Sequence, residues 1–183
     1  MDPRRGQDDL LTRHRAGDPH AFDQLVQELA PRLKGYFLRQ GAEPATAEDL
    51  TQNVFVRILQ SLDRYQSSGQ MEAYFLRIAR NLWIDQQRRS SRFRRVEDGA
   101  DAVDARPGPE SESQTHDRAS LVRAALAELE PDERELLELA VLQRLPYKDV
   151  SAVLDIPVGT VKSRVFYALR RLRERLAALA DET

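Results

Sequence analysis

No cysteine occurs among the 183 residues, which excludes disulfides, thiolate metal sites and cysteine nucleophiles together. Histidine is scarce: His14, His20 and His116 are scattered, no nucleophile, base and orienting group form a set, and neither catalysis nor a cofactor is expected. The acidic residues offer no fixed coordination pattern for a metal. No apolar run reaches the length of a membrane span, and residues 1–9 are polar and lack the apolar core of an export signal, so a soluble cytoplasmic chain without membrane insertion is expected. Strand-type alternation and internal repeats are missing as well. So is a basic excess: 28 Lys and Arg stand against 30 Asp and Glu, a net charge of −2. Proteins that grip duplex DNA unaided usually carry a positive excess, because phosphate neutralisation and counterion release supply much of the affinity.

What is present is segregated. The 41% hydrophobic and 32% charged content suits small helical cores with heavily charged exteriors. Arginine gathers over 77–95 and 164–175, acid over 97–117 and 128–138. Residues 96–117 carry Glu97, Asp98, Asp101, Asp104, Glu110, Glu112 and Asp117 around Pro107, Gly108 and Pro109, with almost nothing large and apolar. Such a stretch cannot bury enough surface to offset the entropy of ordering and reads as a flexible acidic linker. The expected architecture is all-α: an N-terminal segment 1–17, a helical domain 18–95, the linker 96–117 and a second helical domain 118–183.

The first domain opens at Asp18-Pro19, an N-cap followed by a proline. Phe22, Leu25, Val26, Leu29, Leu33, Tyr36 and Phe37 then mark a helical stripe, kinked at Pro31 and stopped at Gly41. A second helix starts with the capping-box pattern Thr46 to Asp49 and turns Leu50, Val54, Phe55, Ile58, Leu59 and Leu62 inward. Its other arc holds Asp49, Gln52, Asn53, Val56 and Gln60, mostly uncharged polar groups around one valine, which suits a protein-docking face as well as plain solvated surface. The third helix, 72–89, buries Phe75, Ile78, Ala79 and Leu82, with Trp83 at the edge of that arc. It turns outward Arg77, Arg80, Asn81, Ile84 and Arg88, the mixture expected where phosphates are held and bases read. The preceding loop contains Tyr65, Gln66, Ser67 and Ser68; it is either ordinary polar surface or, beside a basic helix, a place to capture an unstacked base.

In the second domain, 147–175 reads as helix, tight turn, helix. Leu154-Asp155-Ile156-Pro157 supplies the turn, since the residue before a proline is disfavoured from helical geometry and proline suits a helix start. Val161, Val165, Ala168, Leu169, Leu172 and Leu176 seat the second helix. Gly159 and Thr160 keep its N-terminus slim enough for backbone N–H groups to approach a phosphate. Lys162, Ser163, Arg164, Phe166, Tyr167 and Arg170 face away from the stripe, with cations for phosphate or guanine and aromatics for a thymine methyl or sugar edge. A solvated basic face on a helical bundle is the plainer alternative.

Three segments then coincide. Asp49-Leu-Thr-Gln-Asn-Val-Phe55, Leu76-Arg-Ile-Ala-Arg-Asn-Leu-Trp-Ile-Asp85 and Asp155-Ile-Pro-Val-Gly-Thr-Val-Lys-Ser-Arg164, in this order and spacing, resemble the extracytoplasmic-function class of RNA polymerase sigma factors. The resemblance implies that Asp49, Gln52, Asn53 and Val56 bind the clamp helices of the largest polymerase subunit. It implies that Tyr65, Gln66, Ser67, Ser68, Arg77, Arg80, Asn81 and Arg88 recognise and melt the minus-ten element as single strand. Thr160, Lys162, Ser163, Arg164, Phe166, Tyr167 and Arg170 would read the minus-thirty-five duplex. It further implies contact with the polymerase flap, an anti-sigma factor as partner, and no chemistry of the chain's own. Departures from the family pattern are Asn53 for a frequent glutamate, Tyr74 for tryptophan, Tyr167 for arginine and Ser151 for alanine; the Ser151 hydroxyl is expected to bond back to a helix carbonyl. The competing possibility is a self-sufficient helix-turn-helix regulator, which would pair two reading heads about a two-fold axis.

Overall fold

A computed structural model describes residues 10–65, 70–97, 122, 124–126 and 128–181, and every regular element among them is helical. The chain divides into two compact units, Met1–Arg106 and Pro107–Thr183. The expected linker 96–117 lies almost wholly outside the described residues.

The first unit contains α1 (Leu10–Arg15), α2 (Ala21–Arg39), α3 (Pro44–Ser61), a 3₁₀ turn (Leu62–Arg64) and α4 (Met71–Glu97). Helix α2 packs against α1, α3 and α4, and α3 against α4. Their shared core includes Leu11, Leu25, Leu33, Tyr36, Phe37, Val54, Ile58, Phe75 and Ala79. Phe55 sits edge-on to Phe22 at 6.1 Å between ring centroids and to Phe75 at 5.8 Å, tying three helices through one ring.

Several details of this unit differ from the expectation, among them the third helix, which runs to Glu97 rather than ending near Arg89. The unit begins ahead of Asp18, because α1 buries Leu10 and Leu11. Asp18 does not cap α2; it holds the turn between α1 and α2, accepting the His20 N–H at 3.0 Å and the Arg13 guanidinium. The His20 N–H first, then Arg13, hold the Asp18 carboxyl below its ordinary value. Helix α3 starts at Pro44 rather than Thr46, with a proline at its first turn that gives up no hydrogen bond and already has helical φ. Leu59 lies outside the buried arc at 42% exposure, whereas Leu76, on α4, is buried.

Gly41 ends α2 as expected, and the geometry says why glycine is there. Its φ is +95°, its N–H bonds to the Leu38 carbonyl, and the Ala42 N–H reaches back to the Phe37 carbonyl at 3.0 Å. This is a Schellman closure, and Ala42 and Phe37 are both buried there. Between Ala21 and Arg39 the helix runs on through Pro31.

The second unit contains α5 (Pro131–Leu137), a π-helical turn (Glu138–Leu142), α6 (Tyr147–Leu154) and α7 (Val158–Asp181). Both α5 and α6 pack on α7, over Leu136, Leu137, Leu139, Val150, Val153, Val161, Val165 and Ala168. The seating stripe of α7 weakens after Ala168: Leu169 is exposed, and Leu172 and Leu176 are half-buried. At the π turn, Gln143 donates through Nε2 to the Glu138 carboxylate at 2.9 Å, both side chains buried, and Arg144 takes φ +53°. Nothing in the sequence pattern announced this pair.

The α6–α7 turn closes through Asp155, which adopts the left-handed conformation at φ 56°. The Ser151 carbonyl accepts the N–H groups of Asp155 and Ile156, and the Ser151 hydroxyl donates to the Ile156 carbonyl at 2.6 Å. Ser151 therefore bonds forward across the turn rather than back along its own helix, because the reversed chain brings the Ile156 carbonyl within reach.

Gly41 has open space where a Cβ would stand, so strain there is purely backbone. Gly41→Val should cost about 1–2 kcal/mol and Gly41→Asn much less, with Asp155→Val costing about the same as Gly41→Val. Denaturant titration of the full chain followed by circular dichroism checks this.

Candidate nucleic-acid interface

Three outward helix faces carry the residues singled out by sequence. On α3, Asp49, Gln52, Asn53 and Val56 are all exposed and lie on one side of the helix. Val56 is 48% exposed, and Leu59 beside it widens the apolar centre of this face. Sequence reasoning missed Leu59, since period alone cannot place a residue at the border of an arc.

On α4, Arg77, Asn81 and Arg88 are exposed along one stripe, and Arg80 and Ile84 are half-buried at its margin. Trp83 is half-buried, as an edge position requires. The Arg77 guanidinium carbon lies 5.7 Å from the centre of the Tyr74 ring. Gln66, Ser67 and Ser68 fall outside the described residues.

Tyr65 corrects an expectation. It is 6% exposed, its ring leans on Tyr74 at 5.3 Å, and its carbonyl accepts a hydrogen bond from Arg15 Nη1 at 2.9 Å. An aromatic so enclosed cannot stack on an extruded base; apolar burial beside Tyr74 outweighs exposure for a ring that size.

On α7, Lys162, Ser163, Arg164, Phe166, Tyr167 and Arg170 are exposed and Thr160 is half-buried. Ser163 donates to the Thr160 carbonyl at 3.1 Å. Phe166 and Tyr167, 63% and 60% exposed, form an edge-to-face pair at 5.5 Å. Exposure this large in two adjacent aromatics leaves apolar area open to a partner.

The arginine run of α7 is not one cationic surface. Arg171 pairs with Glu133 and Arg175 with Glu128, each at 3.0 Å, and Arg170 with Glu174 at 2.9 Å. Two of these pairs tie α7 to the acidic residues that precede or begin α5. Of the basic residues of α7, Lys162 and Arg164 near its N-terminal end and Arg173 further along are exposed and take no part in these pairs.

Among the described residues no group of three or more His, Asp or Glu could hold a metal ion, and no helix is long and apolar enough to cross a membrane.

Residues 25–93 match the Sigma-70 region 2 family and residues 119–172 the Sigma-70 region 4 family. The chain is 34% identical over 166 residues to the ECF RNA polymerase sigma factor SigE of Mycolicibacterium smegmatis, covering 89% of this chain and 64% of that protein's length. It is 30% identical over 161 residues to the ECF RNA polymerase sigma factor RpoE of Cereibacter sphaeroides, covering 87% of this chain and 88% of that one. Among solved structures, the sigma factor RpoE of Bartonella quintana, determined with the anti-sigma factor NepR, superposes with a TM-score of 0.69 at 27% identity over 86% of this chain and 98% of that one. CnrH, determined with the cytosolic domain of CnrY, shares the fold with a TM-score of 0.65 at 23% identity, over 94% of this chain and 96% of that one. The chain belongs to the ECF family of RNA polymerase sigma factors. It is a promoter-recognition subunit of RNA polymerase and not a catalyst.

The ion pairs generate a prediction about salt. Lys162→Ala should lower the salt slope of holoenzyme binding to a minus-thirty-five duplex by about one unit, and Arg171→Ala should leave it nearly unchanged. Fluorescence anisotropy across a salt series measures both slopes.

Proposed function

We propose that promoter recognition is divided among the three faces. The α3 face of Asp49, Gln52, Asn53 and Val56, widened by Leu59, docks on the clamp helices of the polymerase largest subunit. The α4 stripe of Arg77, Arg80, Asn81 and Arg88, with Gln66, Ser67 and Ser68 before it, holds the minus-ten strand. The α7 face, from Thr160 through Lys162, Ser163, Arg164, Phe166 and Tyr167 to Arg170, reads the minus-thirty-five duplex, and the second unit also meets the polymerase flap. Melting proceeds without ATP: unstacking costs a few kcal/mol per base, offset by capture of the freed bases and by polymerase contacts.

The observation that carries this reading is the exposure of all three faces within the segments 25–93 and 119–172 that match the two Sigma-70 families. Cytoplasmic residence and control by an anti-sigma factor belong to the same reading; the anti-sigma partner of the Bartonella quintana relative supports the latter.

Transcription from a cognate promoter with purified polymerase core tests it. Val56→Asp should weaken core binding at least about tenfold by burying an unpaired charge in an apolar contact. Asn81→Ala should blunt the response to base changes in the minus-ten element only, and Lys162→Ala in the minus-thirty-five element only. Promoter choice left unaltered by both substitutions would refute the assignment.

A further inference from the structure

We propose that Tyr74 is a positioning residue that presents the Arg77 guanidinium to the melted strand, an inference that rests on the reading of the α4 stripe as the single-strand surface.

The ring of Tyr74 is held from several directions. Its hydroxyl shares a hydrogen bond with Ser61 Oγ at 2.8 Å, anchoring it to the end of α3. Tyr65 leans against it at 5.3 Å, and Phe75 stands at right angles at 6.4 Å. Tyr65 is itself fixed, buried and bonded through its carbonyl to Arg15 at the end of α1. Elements 50 residues apart thus converge on one half-buried ring.

The core does not require this. An apolar side chain of similar body would fill the space between Tyr65 and Phe75, without a hydroxyl to satisfy. What the tyrosine adds is a rigid aromatic face beneath Arg77, which lies one turn further along the same side of α4 with its guanidinium carbon 5.7 Å from the ring centre. An exposed arginine loses rotamer freedom when it clamps a phosphate or stacks on a base. A guanidinium whose carbon already lies 5.7 Å from the centre of a fixed ring has less to lose, and its flat shape, unlike an ammonium, suits a ring face.

The Arg77 side chain therefore acts through its own charge, and Tyr74 through Arg77. That relation is measurable as a double-mutant cycle on holoenzyme bound to a promoter fragment with an unpaired minus-ten region. Tyr74→Leu should weaken binding about twofold to fivefold. Tyr74→Phe, which keeps the ring, should stay within about twofold of the parent. In the Arg77→Ala background Tyr74→Leu should have no further effect, and the salt slope should fall with Arg77→Ala by about 0.7 but not with Tyr74→Leu. Equal losses from Tyr74→Leu with and without Arg77 would overturn the inference and leave the α4 reading standing. If Arg77→Ala itself binds like the parent, the α4 reading fails and the inference with it. Should Tyr74→Leu not fold, Arg77→Lys replaces it: the charge and the slope stay, the planar guanidinium beside the ring goes, and binding should drop about twofold to fivefold, with parent-like binding overturning the inference.

Discussion

The rotational setting of each helix is the constraint on which every outward face depends, and in the first unit one ring imposes it. Phe55 of α3 meets Phe22 of α2 and Phe75 of α4 edge-on. On a 3.6-residue helix, fixing one side chain inward fixes the direction of all others, so the Phe55 and Phe75 contacts decide that Val56 and Asn53, and likewise Arg77 and Asn81, point away from the core. The energies agree with this order of importance. Removing a buried phenylalanine side chain costs about 3–5 kcal/mol, whereas an exposed ion pair such as Lys34 with Glu48, at 2.9 Å, is worth about 0–1 kcal/mol.

The second unit solves the same problem with less material. Val161, Val165 and Ala168 are almost wholly buried and seat α7 over its first three turns. The left-handed Asp155 and the Ser151 clamp set the angle at which α7 leaves α6. Past Ala168 the apolar seat thins, and ion pairs to Glu133 and Glu128 take over the attachment. Those pairs have an electrostatic consequence as well as a mechanical one: they partly neutralise Arg171 and Arg175, while Lys162 and Arg164 stand outside them at the end of the helix whose N–H groups favour phosphate.

Periodicity exposes some of this to a reader of the bare sequence and conceals the rest. The stripe Val161, Val165, Ala168 and the opposing Phe166 and Tyr167 are local facts of spacing, and so are the outward positions of Asn53, Val56 and Asn81. Helix starts were less readable: Asp18 and Thr46 have capping chemistry, but Pro44 preorganises an earlier start, and the Asp18 acceptors are engaged by Arg13 and the His20 N–H. Arg171 pairs with an acid 38 residues away, a relation no window of sequence contains. Tyr65 lies in a polar stretch and so reads as surface, yet Tyr74 and Arg15, from two separate helices, enclose it. The buried Glu138 and Gln143 are polar residues in core positions, legitimate only because the π turn lets each satisfy the other.

The net charge of −2 and the concentration of free cations into small patches bear on how such a chain works. Each patch carries few charges, and the affinity of each for DNA grows only with the number of phosphates it neutralises. On the proposed division of roles, two weak reading surfaces become selective when a third, docking face places them on the same large carrier, because the second contact is then made at high effective concentration. A strongly basic chain would gain affinity everywhere and lose discrimination, since the phosphate contribution is blind to sequence. The acidic partners of Arg171 and Arg175 push in the same direction: they tether α7 while subtracting non-specific attraction, which, on the proposed division of roles, weights Lys162, Ser163, Arg164, Phe166 and Tyr167 toward the contacts that distinguish one base from another.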